Sequence, residues 1–175
     1  QEVVDRFGRI DVAINNAGIN IRYPIEDFPF DEWKQVIDVN LTGVWLCCRA
    51  AARVMKPAGR GSVINVSSTL GATGLPQRTP YASSKSGVLG MTRSLAKEWA
   101  DFGVRCNALC PGPFLTEMNI PIANDVEKTG ALIGLVPMKR WAELDEIRGA
   151  ALFLASDASS YVTGSELYVD GGWTS

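Results

Sequence analysis

The sequence predicts an α/β fold, a doubly wound and mostly parallel sheet with helices on both faces. Short apolar strands alternate with longer helical segments, and polar or glycine-rich turns follow several of the strands. The chain has 175 residues, of which 46% are hydrophobic and 21% are charged. These values predict one globular domain, spanning 1–175, with no internal repeat or linker.

The N-terminal part of the chain predicts a helix, a strand and a turn. Residues 1–7 form the tail of a helix, which Gly8 ends. The apolar run 10–15 is a short buried strand. It leads into the turn Asn15-Asn16-Ala17-Gly18, which places polar and small residues at the carboxyl end of a strand.

A long helix and a second strand come next. Asp31 is predicted to cap a helix that runs to about Lys56, where Pro57 and two later glycines stop it. The apolar strand 62–67 follows, and its exit is the polar tripeptide Ser67-Ser68-Thr69.

A third segment begins at Thr79, with Pro80 at the first helical position. This helix runs to about Phe102, before Gly103. The remaining predicted elements are a strand over 104–109 closed by Pro111-Gly112-Pro113, a mobile helical excursion over 114–138, a helix over 143–155 and a strand over 166–169.

Composition restricts the classes of partner and of chemistry. The formal net charge is −2 and no block of Lys or Arg is present, so a small-molecule substrate is expected, without nucleic acid or a membrane. The apolar stretches are too short to span a bilayer, which favours a cytoplasmic protein. The chain contains no histidine, which excludes histidine-dependent nucleophiles and leaves no expected metal site. Reduced, structural thiols are predicted at Cys47, Cys48, Cys106 and Cys110.

Tyr81 and Lys85 are the pair that points to chemistry. They lie four residues apart near the start of a predicted helix, so they share one face. An ammonium about 4 Å from the phenol oxygen would lower the phenol pKa by as much as about three pH units. Tyr81 would then exchange protons near neutral pH. Ser68 ends a strand thirteen residues earlier and is the expected partner, with Ser67 beside it as the alternative.

These residues and several further motifs together resemble the short-chain dehydrogenase/reductase family, in its single-domain Tyr-x-x-x-Lys group. The resemblance covers nearly the whole chain and implies a Rossmann-like sheet and an NAD- or NADP-dependent oxidoreductase. The motifs are Asn15-Asn16-Ala17-Gly18, Asn40 within 38–43, Ser68 within 65–68, Tyr81 with Lys85, Pro111-Gly112 followed by Thr116, and the closing segment 162–172.

The resemblance also implies a role for each of these residues. Tyr81 would be the general acid or base, and Lys85 would lower its pKa and hold the nicotinamide ribose. Ser68 would bind the substrate oxygen, and Asn40 would hold a water that relays protons. The implied cofactor contacts are Asn16, Ala17, Gly18, Tyr81, Lys85, Pro111, Gly112, Phe114 and Thr116.

The substrate expectation is a secondary alcohol or ketone on a sugar acid, a polyol or a similar small molecule, because 20–22 and the tail at Trp173 are similar to gluconate 5-dehydrogenase-like members. A reductase of 3-oxoacyl carriers is an alternative. Two other readings stay open: a hydrolase in which Lys85 activates Ser68, and an inactive fragment that only forms oligomers. The turn 15–18 could equally serve the sheet edge.

The helix that carries Tyr81 also has a smooth surface, because small residues recur on it every four positions. The family uses this helix and the one beginning near Asp31 for contacts between subunits, so a homodimer or homotetramer is implied. The small residues are Ala82, Ser86, Gly90 and Ser94, and the adjacent apolar residues are Val88, Met91, Leu95 and Trp99.

The family's glycine-rich strand, turn and helix do not precede Gln1. We therefore expect an N-terminally incomplete dinucleotide-binding domain that lacks the first three strands and leaves strand 10–15 at an exposed edge.

We predict that the 175-residue chain binds dinucleotides weakly or not at all, because the helix N-terminus that holds the pyrophosphate is missing. Isothermal titration with NADH and NADPH measures this directly. Micromolar affinity for either dinucleotide would contradict the prediction.

Overall fold

Four parallel strands form one sheet in the computed structural model, which describes residues 2–175. Their order in the sheet is the order of the chain, and the register aligns Asn15 with Asn65, Asn65 with Ala108, and Ala108 with Glu166. Gln1, which the predicted first helix included, lies outside the described residues. The strands are β1 (Val12–Asn15), β2 (Gly61–Val66), β3 (Val104–Pro111) and β4 (Glu166–Val169).

Helices cover both faces of this sheet and confirm the predicted α/β class. α3 and α4 pack on one face and α7 packs on the other. The helices are α1 (Glu2–Phe7), α2 (Phe30–Ile37), α3 (Gly43–Ala58), α4 (Thr79–Trp99), α5 (Ile120–Ala123), α6 (Val126–Ile133) and α7 (Arg148–Ala155).

The core has two parts because successive residues of a strand point to opposite faces of the sheet. In β2, Val63 packs against Met55 of α3 and Trp99 of α4. Its neighbour Ile64 packs instead with Leu154 of α7. All five side chains are almost wholly buried, so the sheet is fixed from both sides.

The prediction of one continuous helix from Asp31 to Lys56 is wrong. α2 begins one residue earlier, at Phe30, and the π-helical segment Asp38–Thr42 separates it from α3. In this segment the N–H of Gly43 donates to the carbonyl oxygen of Asp38, five residues back. The widened turn contains the fully buried Asn40, and such widened turns often occur at functional sites.

Proline does not stop α3 where predicted. Pro57 lies inside the last turn, and the helix ends at Ala58. Only one helical residue follows the proline, so the cost of its missing N–H and its ring is confined to the fraying end. Gly59 then ends the helix in the left-handed conformation, with φ of 68°.

Other boundaries move by one or two residues, and two helices end or begin in a tighter turn. The predicted helix 143–155 begins with the 3₁₀ turn Leu144–Ile147, capped by Glu143, before α7. α4 ends at Trp99 and is followed by a 3₁₀ turn over Ala100–Phe102. The excursion over 114–138 contains the short helices α5 and α6.

Three of the four cysteines are buried as predicted, and Cys47 is the exception. Cys48, Cys106 and Cys110 lie in the core, while Cys47 is exposed on α3. Neighbouring helical residues point about 100° apart, so only one of an adjacent pair faces the sheet. All four thiols are free.

Within 2–175, no helix combines the length and the apolar character that crossing a bilayer demands.

We predict that Gly103→Ala destabilises the protein by at least about 2 kcal/mol, because φ at Gly103 is +66° and a Cβ there would collide with the carbonyl oxygen of Gly59. Gly130→Ala is the matched control: it lies inside α6 with open space around it, and we expect a gain of about 0.5–1 kcal/mol. Denaturant unfolding measures both. Equal stabilities of the two variants would contradict the prediction.

Candidate active site

The loops that leave β1, β2 and β3 meet at the carboxyl edge of the sheet. Asn20, Ser68 and Gly112 come from these three loops and line one small cavity of about 70 Å³. Tyr81, from the first turn of α4, lines the same cavity. The structure thus brings the predicted serine and tyrosine to one point.

Lys85 lies one helical turn after Tyr81 on α4 and is only 3% exposed. Its Nζ donates to the carbonyl oxygen of Val66, at the end of β2, over 2.8 Å. The same Nζ is 5.6 Å from the centroid of the Tyr81 ring. The ammonium is therefore fixed between the last residue of a strand and the ring that it was predicted to influence.

The prediction that Lys85 lowers the pKa of Tyr81 is wrong for the protein without ligands. Burial raises the pKa of the Tyr81 phenol above its ordinary value, while a hydrogen bond with Ser68 and the charges of Arg78 and Arg22 oppose that rise. Desolvation of the phenolate outweighs the nearby cations. Tyr81 is consequently protonated at neutral pH.

Burial also acts on Lys85. It lowers the pKa of the ammonium from 10.5 to about 8, and the neighbouring Cys110 opposes that change only in part. Removing a charge from water disfavours the charged form. At neutral pH the side chain still carries most of its charge, but a modest rise in pH removes it.

The two adjacent serines have different environments. Ser67 donates its hydroxyl to the backbone carbonyl oxygen of Lys85 at 2.9 Å, which ties β2 to α4. Ser68 Oγ accepts from the N–H of Leu70 at 3.1 Å and faces the Tyr81 cavity. Because the Lys85 ammonium donates to Val66, the geometry does not favour the hydrolase in which Lys85 activates Ser68.

Asn40 holds the loop that follows β1. Its Oδ1 accepts from the N–H of Ile19 at 2.8 Å, and its Nδ2 donates to the carbonyl oxygen of Ile19 at 2.9 Å. Nδ2 also lies 3.2 Å from the hydroxyl oxygen of Ser84 on α4. The side-chain amide is thus engaged in positioning backbone.

The turn 15–18 divides into a structural and an open part. Asn15 donates to Oδ1 of Asn65 across the β1–β2 pair at 2.8 Å, as expected of a residue serving the sheet edge. Asn16 and Ala17 are exposed. A Cβ on Gly18 would lie 3.4 Å from Oδ1 of Asn40 and 3.5 Å from Nζ of Lys85, so the bare backbone here lies against the buried lysine.

The segment after β3 is held close to β4. The N–H of Gly112 donates to the carbonyl oxygen of Val169, and a Cβ on Gly112 would lie 2.6 Å from Cα of Asp170. Pro111 and Thr116 are partly exposed beside it. Phe114 is only 5% exposed, and its backbone N–H and carbonyl oxygen are both hydrogen-bonded within the segment, so Phe114 is a buried support of this loop.

Sequence reasoning assigned no site role to Arg78, which also lines the Tyr81 cavity. An arginine beside a helix start ordinarily indicates a solvated charge, and its sequence position gives no signal of enclosure. Trp173 lines the same cavity from the chain's C-terminal tail. Asp170 holds this tail by accepting from the N–H groups of Gly172 and Thr174.

In the part of the chain that the structure describes, no three His, Cys, Asp or Glu residues are grouped so that they could hold a metal ion.

The chain is similar to known oxidoreductases over almost its whole length. Residues 1–174 match the family described as enoyl-(acyl carrier protein) reductase. The chain is 42% identical over 167 residues to 2-dehydro-3-deoxy-D-gluconate 5-dehydrogenase of Bacillus subtilis, covering 95% of this chain. It is 40% identical to D-threitol dehydrogenase of Mycolicibacterium smegmatis over 172 residues, covering 98% of this chain.

A solved structure has the same fold. The gluconate 5-dehydrogenase of Burkholderia cenocepacia, in complex with NADP and tartrate, superposes with a TM-score of 0.96 and 41% identity. The match covers 99% of this chain and 68% of that one. The chain spans 66% of the length of both curated relatives, which is just under two thirds.

We predict that Lys85→Met stabilises the protein at neutral pH and that its advantage shrinks as pH rises. The pKa of Lys85 is about 8 in the folded state and 10.5 ordinarily, so between these values the unfolded chain binds more protons and wild-type stability rises with pH. From pH 7 to 9.5 the difference in unfolding free energy should narrow by about 2 kcal/mol. Urea unfolding at both pH values measures it, and a pH-independent difference would contradict the prediction.

Proposed function

The chain belongs to the short-chain dehydrogenase/reductase family, and we propose that it interconverts a secondary alcohol and a ketone with Tyr81 as the general acid or base. One observation carries the proposal: Tyr81 and Ser68 line the same cavity at the strand ends, and the buried ammonium of Lys85 is 5.6 Å from the centroid of the Tyr81 ring. Both hydroxyl groups can therefore reach one substrate oxygen.

Each side chain has a distinct task in this reaction. The protonated phenol of Tyr81 gives its proton to the carbonyl oxygen in the reductive direction, and in the oxidative direction the phenolate of Tyr81 takes the hydroxyl proton. Ser68 Oγ accepts from the N–H of Leu70, and its own O–H, which is within reach of Tyr81, can donate to the substrate oxygen. Such a fixed donor stabilises negative charge as it develops there.

Two further residues support Tyr81. The charge of Lys85 stabilises the phenolate after proton transfer, even though burial dominates the pKa of the free phenol. Asn40 keeps the loop after β1 against α4 through Ile19 and Ser84, and we propose that the widened turn around it admits the water that returns protons to Lys85.

The residues present fit a nicotinamide dinucleotide, either NAD or NADP. Exposed Asn16 and Ala17 lead to the bare backbone of Gly18 beside Lys85, where a side chain would fill the space. When bound, the dinucleotide would supply or accept hydride at the substrate carbon. The side of the bound dinucleotide that faces Tyr81 would then face the substrate. The proposed contacts are Asn16, Ala17, Gly18, Tyr81, Lys85, Pro111, Gly112, Phe114 and Thr116.

We propose a sugar acid, a polyol or a similar small molecule as substrate. The names of the relatives support this class, since one acts on a deoxygluconate and another on threitol, and a third was solved with tartrate. A 3-oxoacyl carrier is the second candidate; the family description, enoyl-(acyl carrier protein) reductase, supports a carrier-bound acyl chain but names a different bond to be reduced. The cationic surroundings of Tyr81 favour a small acid.

We further propose that 1–175 belong to a single catalytic domain that forms homodimers or homotetramers in the cytoplasm. The small side chains of Ala82 and Gly90 leave a smooth, partly exposed row on α4. On α3, the side chains of Trp45 and Leu46 are 47% and 44% exposed. Free thiols agree with a reducing compartment.

We predict that Tyr81→Phe lowers kcat about 10²- to 10⁴-fold in the full-length gene product, because the proton donor is lost while the ring is kept. The fully exposed Tyr161 provides the matched control, and Tyr161→Phe should leave kcat unchanged. Steady-state kinetics with a sugar acid and NADP measures both variants, and thermal unfolding checks their folding. Turnover by folded Tyr81→Phe near the wild-type rate would contradict the proton-transfer role.

A further inference from the structure

A second and larger cavity adjoins the Tyr81 cavity. Its volume is about 520 Å³, and it shares Leu75, Arg78 and Leu132 with the smaller one. Its lining contains three cationic side chains, from Arg22, Arg78 and Lys128, and no acidic residue. The remaining lining is apolar apart from one glutamine. A ligand bound at Tyr81 could thus extend into a cavity whose charge is positive.

Two of these cations lack a compensating charge. Lys128 forms an ion pair with Asp125 at 2.8 Å. Arg22 and Arg78 form no ion pair in the described part of the chain, and Nε of Arg22 is buried without a hydrogen-bond partner. An unpaired buried donor is costly, and the planar fork of a guanidinium matches a carboxylate. Arg22 therefore presents an unused donor for an anion.

The positive charges of the guanidinium groups of Arg22 and Arg78 also repel each other. Desolvation lowers the pKa of both, and the charge of Arg22 lowers the pKa of Arg78 further. Two like charges share the edge of an apolar cavity that contains no carboxylate. An anion between them would remove the repulsion and satisfy both groups.

The backbone before α4 sets the position of Arg78. Gln77 has φ of +64°, a left-handed conformation that residues other than glycine seldom adopt. Arg78 follows as the residue that caps α4, three positions before Tyr81. The strained turn thus directs the arginine to the boundary of the two cavities instead of allowing an extra helical turn.

Asn20, which also lines the Tyr81 cavity, adds a complementary feature. Its Oδ1 is buried and accepts no hydrogen bond within the described chain. A carboxylate cannot satisfy an acceptor, but a hydroxyl can. The unsatisfied groups together match a molecule with an anionic end and a hydroxylated end.

We infer that Arg78, paired with Arg22, is a specificity-determining residue that binds the carboxylate of a hydroxy-acid substrate while Asn20 accepts from one of its hydroxyls. This inference deepens the proposed function and rests on it for the identity of the reacting carbon. It selects the acid over the neutral polyol within the proposed substrate class. A phosphate monoester has related anionic chemistry and is distinguished by experiment.

The test compares D-gluconate with D-glucitol, which differ chiefly at the carboxylate. Calorimetric binding to the full-length gene product with saturating NADPH, which cannot accept hydride from an alcohol, should show preference for D-gluconate. Arg78→Gln should weaken gluconate binding about tenfold or more and change glucitol binding less than twofold. Arg78→Lys should fall between the two, because it keeps the charge and loses the fork. Arg148→Gln, at an exposed ion pair, is the matched control and should change neither.

Equal losses for D-gluconate and D-glucitol in folded Arg78→Gln would overturn the inference, as would unchanged gluconate binding. Tighter Arg78-dependent binding of D-glucitol 6-phosphate than of D-gluconate would overturn the carboxylate assignment. Binding requires no turnover, so failure of the proposed reaction is seen separately, as normal turnover in Tyr81→Phe.

Discussion

The burial of the Lys85 ammonium is the interaction on which the rest of the site depends. Nζ of Lys85 donates to the carbonyl oxygen of Val66, the last residue of β2. The backbone carbonyl oxygen of Lys85 accepts from the hydroxyl of Ser67, the residue after Val66. The two bonds run in opposite directions between β2 and α4, so the helix cannot slide along the sheet without breaking one of them. Gly18 packs against the same ammonium, which fixes the loop after β1 as well.

Burial of the Lys85 charge lowers the stability of the folded protein but places a positive charge close to Tyr81. A buried lysine that donates to a neutral carbonyl oxygen loses its proton more easily than a lysine in water, because the charged form is costly to bury. The same burial makes Tyr81 a protonated acid in the free protein. The positive charges of Arg22 and Arg78 in the adjoining cavity lower the pKa of Tyr81 in opposition to burial. The protonation of Tyr81 therefore depends on what occupies that cavity. Strain and unpaired groups collect where ligands are expected, as at Gln77 and Arg22.

The sequence was sufficient for features set by local pattern or chain spacing. Alternating apolar runs located every strand to within two residues, and the spacing of Ser68, Tyr81 and Lys85 located the cavity. Prediction from the sequence failed where residues far apart in the chain interact in the folded protein. The widened turn at Asn40 depends on contacts with Ile19, and the pKa of Tyr81 depends on a desolvation that no spacing reveals. Arg78 gains its importance only when folding places it near Arg22, 56 positions earlier in the chain.

Lys85 is a buried ammonium with no ion-pair partner among residues 2–175, and its pKa is about 8. Nuclear magnetic resonance of ¹³C-labelled lysine, with Lys85 assigned by its loss in Lys85→Met, follows the titration of this one side chain directly. We expect a titration midpoint at a pKa of about 8, well below the ordinary value of 10.5. A midpoint at the ordinary value of 10.5 would contradict the claim, because it would show a solvated ammonium.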